Sequence, residues 1–159
     1  MILLDGKATA GIIRAKLSQQ IQVLKNRIGR APHLAILLIG NDASSRTYVK
    51  AKLKACREVG FTSTLIQREN IQEAALLRHI TQVNNDSTID GLIVQLPLPP
   101  SFQVEKIICH LNPAKDVDGF HALNYGRMAL GLPAHVPATP LGILKLLSHY
   151  QKKKKVIRR

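Results

Sequence analysis

Tyr48 and Lys52 are the residues of this chain whose types and spacing best suit chemistry. They lie four positions apart in a segment with helical periodicity, so the phenol and the ammonium group share one helix face. Gln95 follows an apolar run, and the loop at residues 113–119 supplies carboxylates. A lysine, a tyrosine, an amide and a carboxylate together can run acid–base chemistry on a polar heterocycle.

The helices and strands that hold these residues are predicted from the apolar pattern. Helices are predicted at residues 9–27, 44–59, 72–83 and 104–111, and from Thr139 or Pro140 to Tyr150. Strands are predicted at 33–40, 61–67 and 91–98, and a loop-rich stretch begins at Asn112. Three βα units in series predict an α/β fold, a three-layer domain with a mostly parallel sheet flanked by helices.

The predicted strand ends bring the candidate groups to one place. Gln95 comes at the end of the third strand, and Asn41 and Asp42 come at the end of the first. Ligands of such sheets bind at the carboxyl ends of the strands. Ser44 or Ser45 is predicted to cap the helix that carries Lys52.

Composition excludes several classes of protein. The hydrophobic fraction of 45% is too high for a disordered chain. No apolar run approaches the roughly 18 residues that a membrane span needs, and no signal peptide is expected. The cysteines, Cys56 and Cys109, have no CxxC partner, so a reducing cytoplasm and no metal site are expected.

The net charge of +13 allows two interpretations. Six of the positive charges lie in residues 152–159, which is typical of a patch for nucleic acid or an anionic surface. The same run is typical of a solvated chain end. The chain has three tyrosines, three phenylalanines and no tryptophan, so platforms for base stacking are scarce. The solvated end is favoured, and no nucleic-acid partner is expected.

Three segments coincide with the signatures of one family. They are Y-V-K-A-K-L-K-A-C-R-E-V-G at 48–60, D-G-L-I-V-Q-L-P-L-P at 90–99 and P-A-K-D-V-D-G-F-H-A-L-N-Y-G-R at 113–127. In this order they resemble the bifunctional methylenetetrahydrofolate dehydrogenase/methenyltetrahydrofolate cyclohydrolase, over residues 2–150. The resemblance implies one-carbon metabolism: NADP-dependent oxidation of methylene-tetrahydrofolate to methenyl-tetrahydrofolate, and hydrolysis of that product to formyl-tetrahydrofolate.

The resemblance also implies roles for single residues. Lys52 matches the family's central catalytic group, and Tyr48 matches a tyrosine that lies against the folate. Gln95 matches the glutamine that contacts the lysine, and Asp118 matches the aspartate that holds the pterin. Asp118 could instead cap a turn, a role that suits Asp116 better. Substrate contacts are implied at Tyr48, Val49, Lys50, Ala51, Lys52, Val94, Gln95, Leu96, Pro97 and Asp118. Cys56 is expected to be a small core residue.

The family's second domain binds NADP with a Rossmann fold, and this sequence contains no G-x-G-x-x-G motif. The expected organisation is a folate-binding catalytic domain at 1–138, with a connecting helix and the start of the NADP domain's first strand at 139–159. No cofactor is expected to bind this chain, and the dehydrogenase step is expected to be missing. The family is homodimeric, but a monomer is expected here. The alternative is an inactive, truncated folate-binding fragment.

Overall fold

A computed structural model describes residues 3–157 of the chain, and the side chains of residues 3–151. Helices and strands alternate up to residue 109, and two further helices follow. The helices are α1 (Gly6–Ile28), α2 (Ala43–Val59), α3 (Glu73–Asn85), α4 (Val104–Cys109), α5 (Ala122–Ala129) and α6 (Ala138–Ile157). The strands are β1 (His33–Ile39), β2 (Thr62–Arg68) and β3 (Gly91–Val94).

The described strands form one parallel sheet in the order β2-β1-β3. Residues 35–39 of the central strand are all buried, as the continuous apolar run predicts. One face of the sheet packs against buried residues of α3 and α4, such as Leu76 and Ile107. The other face packs against Val49 of α2. The predicted three-layer α/β fold is therefore confirmed.

The start of α2 differs from the prediction. The N-cap is Asp42, whose Oδ2 accepts a hydrogen bond from the backbone N–H of Ser45 at 2.6 Å. Neither Ser44 nor Ser45 is the cap. A carboxylate is the stronger acceptor, and its charge is favourable at the positive end of a helix. This backbone hydrogen bond lowers the pKa of Asp42 below its usual range. The predicted end of the helix at Gly60 is confirmed.

Two further elements differ from the predicted pattern. β3 ends at Val94, four residues earlier than predicted. The chain turns at Gln95, and the proline that follows has no backbone N–H with which to continue the hydrogen bonds of the sheet. The helix α5 lies in the stretch after Asn112 that the sequence predicts as loop. It begins after His121, whose Nδ1 accepts from the backbone N–H of Leu123 at 3.0 Å. A histidine cap and a glycine inside a short helix give little sequence signal.

The last helix is longer than predicted. α6 continues through the lysine run to Ile157, where the start of a strand was predicted. Lysine is a good helix former, and a strand needs a neighbour with which to pair. The side chains of 152–159, and with them both interpretations of the charged run, lie outside the described residues. Within 3–157, no helix combines the length and the hydropathy that a membrane crossing needs.

Gly91 offers a test of the packing beneath β3. A Cβ atom at this position would lie 2.6 Å from Cγ1 of Val117, so Gly91→Ala is expected to destabilise the fold by about 1–3 kcal/mol. Gly11 in α1 has nothing within 4 Å of an added Cβ, and Gly11→Ala is expected to stabilise the chain by about 0.5–1 kcal/mol. Urea unfolding of both variants measures these changes. Equal effects in the two variants would contradict the packing argument.

Candidate active site

Lys52, Gln95 and Asp118 come from three different elements and meet beyond the end of β3. The Nζ atom of Lys52 on α2 donates a hydrogen bond to Oε1 of Gln95 at 3.0 Å. The Oδ2 atom of Asp118 lies 4.0 Å from the same Nζ. The structure thus brings together a proton donor, an amide carbonyl and a carboxylate.

The amide of Gln95 is held in one orientation. Its backbone N–H donates to the carbonyl of Leu37 on β1 at 2.9 Å, which continues the sheet by one residue. Its Nε2 donates to the carbonyl of Leu96 at 2.6 Å. Because the amide nitrogen is occupied by the backbone, the side-chain carbonyl is the end that faces Lys52.

These groups open into a cleft of about 680 Å³. Six of the predicted site residues line it, namely Tyr48, Lys52, Gln95, Leu96, Pro97 and Asp118. The rest of the lining is not predicted as site residues from the sequence, and it consists of Ser44, Phe120, Tyr125, Pro137, Ala138, Thr139 and Pro140. Most of these residues lie in the motif at 113–127 or in the segment 137–140, so the sequence indicates the region. The individual side chains that face the cleft depend on how α5 folds.

The other four predicted contact residues do not line the cleft. Val49 and Val94 are buried in the core on opposite faces of the sheet. Lys50 and Ala51 are exposed on α2, and neither lines the cleft. A substrate contact at these four residues stays a prediction.

Aromatic rings are concentrated in the cleft. Tyr48, Phe120 and Tyr125 line it and are half of the six aromatic residues in the chain. Each of the three is exposed. Exposed aromatic rings in a concave site are typical of a surface that receives a flat ring.

Asp118 is held in an unusual electrostatic environment. Its side chain is 17% exposed, and burial raises the pKa of the carboxyl group above its usual value. Lys52 acts in the opposite direction, and the negative charge of Asp116 raises the pKa further. Ionised Asp118 is therefore destabilised in the ligand-free protein, and a ligand that donates hydrogen bonds to it would relieve this cost.

Asp116 caps the turn, as the sequence predicted. It is buried, and its carboxylate accepts from the backbone N–H groups of Phe120 and His121. Asp118 is thereby left free to face the cleft. Cys56 is also placed as predicted: it is buried in the core, and burial raises the pKa of its thiol, so the thiol stays protonated and unreactive.

The raised pKa of Asp118 predicts a pH-dependent effect on stability. A folded-state pKa above the unfolded value means that ionisation costs stability at pH 7, and that this cost disappears as the pH falls below the usual carboxyl range. Asp118→Asn is therefore expected to raise Tm at about pH 7 and to lose that advantage at about pH 3. Thermal unfolding across this range measures it.

Asp42→Asn is the matched control of opposite sign. The pKa of Asp42 is lowered, so its stabilising effect is present at neutral pH and is lost as the pH falls. Asn is an equally good N-cap, so the cap itself survives. A lower Tm for Asp118→Asn than for the parent at pH 7 would contradict the assignment.

A larger groove of about 880 Å³ lies between α1 and α6. Its lining is mainly apolar, with Ile12, Ile13, Leu17 and Leu141, and its charged residues are lysines. Since the described lining brings no carboxylate to these lysines, the groove does not offer the acid–base set of the Lys52 cleft. The cleft at the end of β3 is the candidate active site.

Together the fold and the site define an α/β domain with an acid–base cleft at the carboxyl end of a parallel sheet. A sequence model described as "Tetrahydrofolate dehydrogenase/cyclohydrolase, catalytic domain" matches residues 4–118. The chain belongs to the tetrahydrofolate dehydrogenase/cyclohydrolase family. The resemblance carried by the three motifs is thereby confirmed.

Curated relatives agree with this assignment. The chain is 53% identical over 151 residues to the bifunctional protein FolD of Amoebophilus asiaticus, and the alignment covers 94% of this chain and 51% of that protein. It is 50% identical over 149 residues to the FolD of Porphyromonas gingivalis, with 93% and 50% covered. The chain spans about half the length of these relatives.

Solved structures share the fold. The bifunctional enzyme FolD from Campylobacter jejuni is 43% identical with a TM-score of 0.91, over 95% of this chain and 54% of that one. The methylenetetrahydrofolate dehydrogenase-cyclohydrolase of Trypanosoma brucei, solved with an NADP cofactor and an inhibitor, is 29% identical with a TM-score of 0.90, over 94% and 52%. The chain is therefore a member of a family of enzymes.

Proposed function

We propose that the cleft binds a tetrahydrofolate and that Lys52 moves the proton in the hydrolysis of methenyl-tetrahydrofolate to formyl-tetrahydrofolate. The observation that carries this proposal is the placement of Lys52 Nζ, 3.0 Å from Oε1 of Gln95 and 4.0 Å from Oδ2 of Asp118, inside an aromatic cleft. Tyr48, Lys52 and Gln95 are the proposed catalytic residues.

The cleft suits the shape and the hydrogen-bonding groups of a folate. Its volume of about 680 Å³ lies in the range of small-molecule sites. A pterin presents a 2-amino group and a ring N–H side by side, and one carboxylate can accept both hydrogen bonds. Asp118 supplies that carboxylate, and Tyr48 supplies an aromatic face for the adjoining ring.

Lys52 serves the hydrolysis by passing one proton. Methenyl-tetrahydrofolate is an amidinium cation, and the oxygen of water bonds to its one-carbon bridge. The carbon–nitrogen bond then breaks, and the departing nitrogen takes a proton. Lys52 gives that proton at Nζ and regains one from the added water, and the other proton of the water is released to solvent as the cation becomes a neutral formyl product. The lysine is therefore unchanged after turnover. The carbonyl of Gln95 holds Nζ in place for both transfers.

The β1–α2 turn does not suit the phosphates of a dinucleotide such as NADP. A dinucleotide loop needs open glycine backbone before a free helix N-terminus. In the β1–α2 turn, Pro99 lies 3.3 Å from the position of an added Cβ on Gly40. The carboxylate of Asp42 already takes the N–H of Ser45 at the start of α2. We therefore propose that hydride transfer to NADP requires residues other than these.

The domain organisation extends the proposal. We infer that residues 1–138 form the folate-binding catalytic domain and that residues 139–159 correspond to the connection with the second half of the longer relatives. The start of α6 at Ala138 supports this boundary.

We also propose that the chain acts in the cytoplasm as a monomer. Sedimentation velocity measures the oligomeric state.

Two assays on the 159-residue chain test the proposed function. Hydrolysis of methenyl-tetrahydrofolate is expected to exceed the buffer rate, and NADPH formation from methylene-tetrahydrofolate and NADP is expected to equal the blank. Folate binding without hydrolysis would support the alternative, an inactive folate-binding fragment. Absence of folate binding would overturn the proposal, and NADPH formation would overturn its cofactor part.

A further inference from the structure

Asp116 and Asn124 form a buried polar pair directly behind the cleft. They are 1% and 5% exposed. Oδ2 of Asp116 accepts from Nδ2 of Asn124 and from the N–H of His121, both at 2.9 Å, and Oδ1 accepts from the N–H of Phe120 at 3.3 Å. Nδ2 of Asn124 also donates to the carbonyl of Pro113 at 2.8 Å. These hydrogen bonds tie Asp116, at the start of the loop that contains Asp118, to Phe120 and His121 at its end.

The same loop is fixed by close packing on two other sides. Gly119 has a φ of +69°, and a Cβ there would lie 2.6 Å from the carbonyl oxygen of His135. The side chain of Val117 fills the space beside Gly91. Val117 packs on the sheet, and the next residue, Asp118, faces the cleft.

We propose that Asp116 and Asn124 are a positioning pair that sets the place of the Asp118 carboxylate and so tunes ligand affinity without touching the ligand. The identity of the ligand, a folate, rests on the proposed function. The pair has no ligand role of its own because both side chains are buried and lie outside the lining of the cleft.

A carboxylate suits this role better than a neutral group. Buried charge is tolerated only when it is well hydrogen-bonded, and hydrogen bonds to a charged acceptor are about twice as strong as neutral ones. Asp116 receives N–H groups from Phe120, His121 and Asn124. Asp116→Asn would turn an amide towards these donors, so the loop would have to shift.

A double-mutant cycle tests whether the pair acts through Asp118. Affinity for folate is measured by calorimetry in the parent, Asp116→Asn, Asp118→Asn and the double variant. Asp116→Asn is expected to weaken binding about tenfold in the parent and less than about twofold when Asp118→Asn is present. An equal loss in both backgrounds would show that Asp116 does not act through Asp118 and would overturn the inference.

Asp86→Asn is the matched control for a general loss of stability. Asp86 also caps a turn, by accepting from N and Oγ1 of Thr88 at 2.8 and 2.6 Å, but it does not line the cleft. Its folate affinity is expected to equal that of the parent when both are folded. A loss in Asp86→Asn equal to that in Asp116→Asn would overturn a positioning role.

Carbon-13 NMR of the ligand-free chain separates this inference from the proposed function. Lys52 of α2 and Asp116 in the same loop are the charged groups that act on the Asp118 carboxyl. Asp116→Asn is expected to lower the pKa of Asp118 and to move its resonance, and an unchanged titration would overturn the inference. Failure of the proposed function would appear instead as absent folate binding in the parent.

Asn124→Ala covers the case in which Asp116→Asn does not fold. This variant keeps the backbone hydrogen bonds of Asp116 and removes one donor. It is expected to weaken folate binding severalfold, again only when Asp118 is present. Unchanged affinity in a folded Asn124→Ala chain would overturn the role of the pair.

Discussion

Lys52→Met is expected to reduce hydrolysis of methenyl-tetrahydrofolate by about 10²–10⁴-fold, because a positioned general acid–base group contributes that much to a rate. Methionine keeps an unbranched apolar chain that can pack along α2, so the fold is expected to survive. The hydrogen bond to Oε1 of Gln95 and the charge beside Asp118 are both lost. Initial rates at saturating substrate, with circular dichroism of each variant, measure the effect.

Lys54→Met is the control for this experiment. Lys54 is an exposed lysine two positions away on the same helix, and it does not line the cleft. It carries the same charge and undergoes the same change of side chain, so its rate is expected to stay within about twofold of the parent. Full activity in Lys52→Met, or an equal loss in Lys54→Met, would remove Lys52 from the proposed mechanism.

Asp118→Asn is expected to weaken folate binding by about tenfold to a hundredfold. The substitution is nearly isosteric, but it replaces one acceptor oxygen with a donor that faces the donors of the pterin. A hydrogen bond to a charged group is worth about 1.5–3 kcal/mol, which corresponds to this range of affinity. Calorimetric titration of folate into both proteins measures the change.

The affinity change has a sign opposite to the stability change expected at neutral pH. Because burial raises the pKa of Asp118, its removal relieves a cost in the free protein while it takes an acceptor from the ligand. Asp42→Asn removes a carboxylate from the start of α2, outside the cleft lining, and is expected to leave folate affinity unchanged. Equal affinities for the parent and Asp118→Asn would move the pterin contact to another carboxylate.

The framework of the site could be predicted from local patterns. The unbroken apolar run of β1 predicts a strand buried on both faces, and the four-residue spacing of Tyr48 and Lys52 predicts their shared helix face. Gln95 follows β3, so its approach to Lys52 depends on two elements that the pattern places correctly. The roles of these residues and of Asp118 came from the resemblance to a family, because spacing alone does not distinguish a catalytic lysine from a solvated one.

The second wall of the cleft could not be predicted in the same way. Phe120 and Tyr125 face it because Asp116 folds the loop back and α5 begins at a histidine cap. These are long-range and buried polar interactions, which leave no periodic trace in the sequence. The predicted cap of α2 was wrong for a related reason, since Asp42 and two serines all satisfy the local rule and the path of the chain from β1 selects among them.

The contact between Gly119 and the carbonyl of His135 joins the two loops that form one side of the cleft. Phe120 comes directly after the first loop, and Pro137 lies two residues beyond the second contact point. This close approach leaves the two loops no room to move towards each other, so this side of the empty cleft is not expected to narrow. The loops on this side therefore need little further ordering when a ligand binds. We expect lock-and-key binding, with an association rate constant that varies little among ligands that fit the cleft.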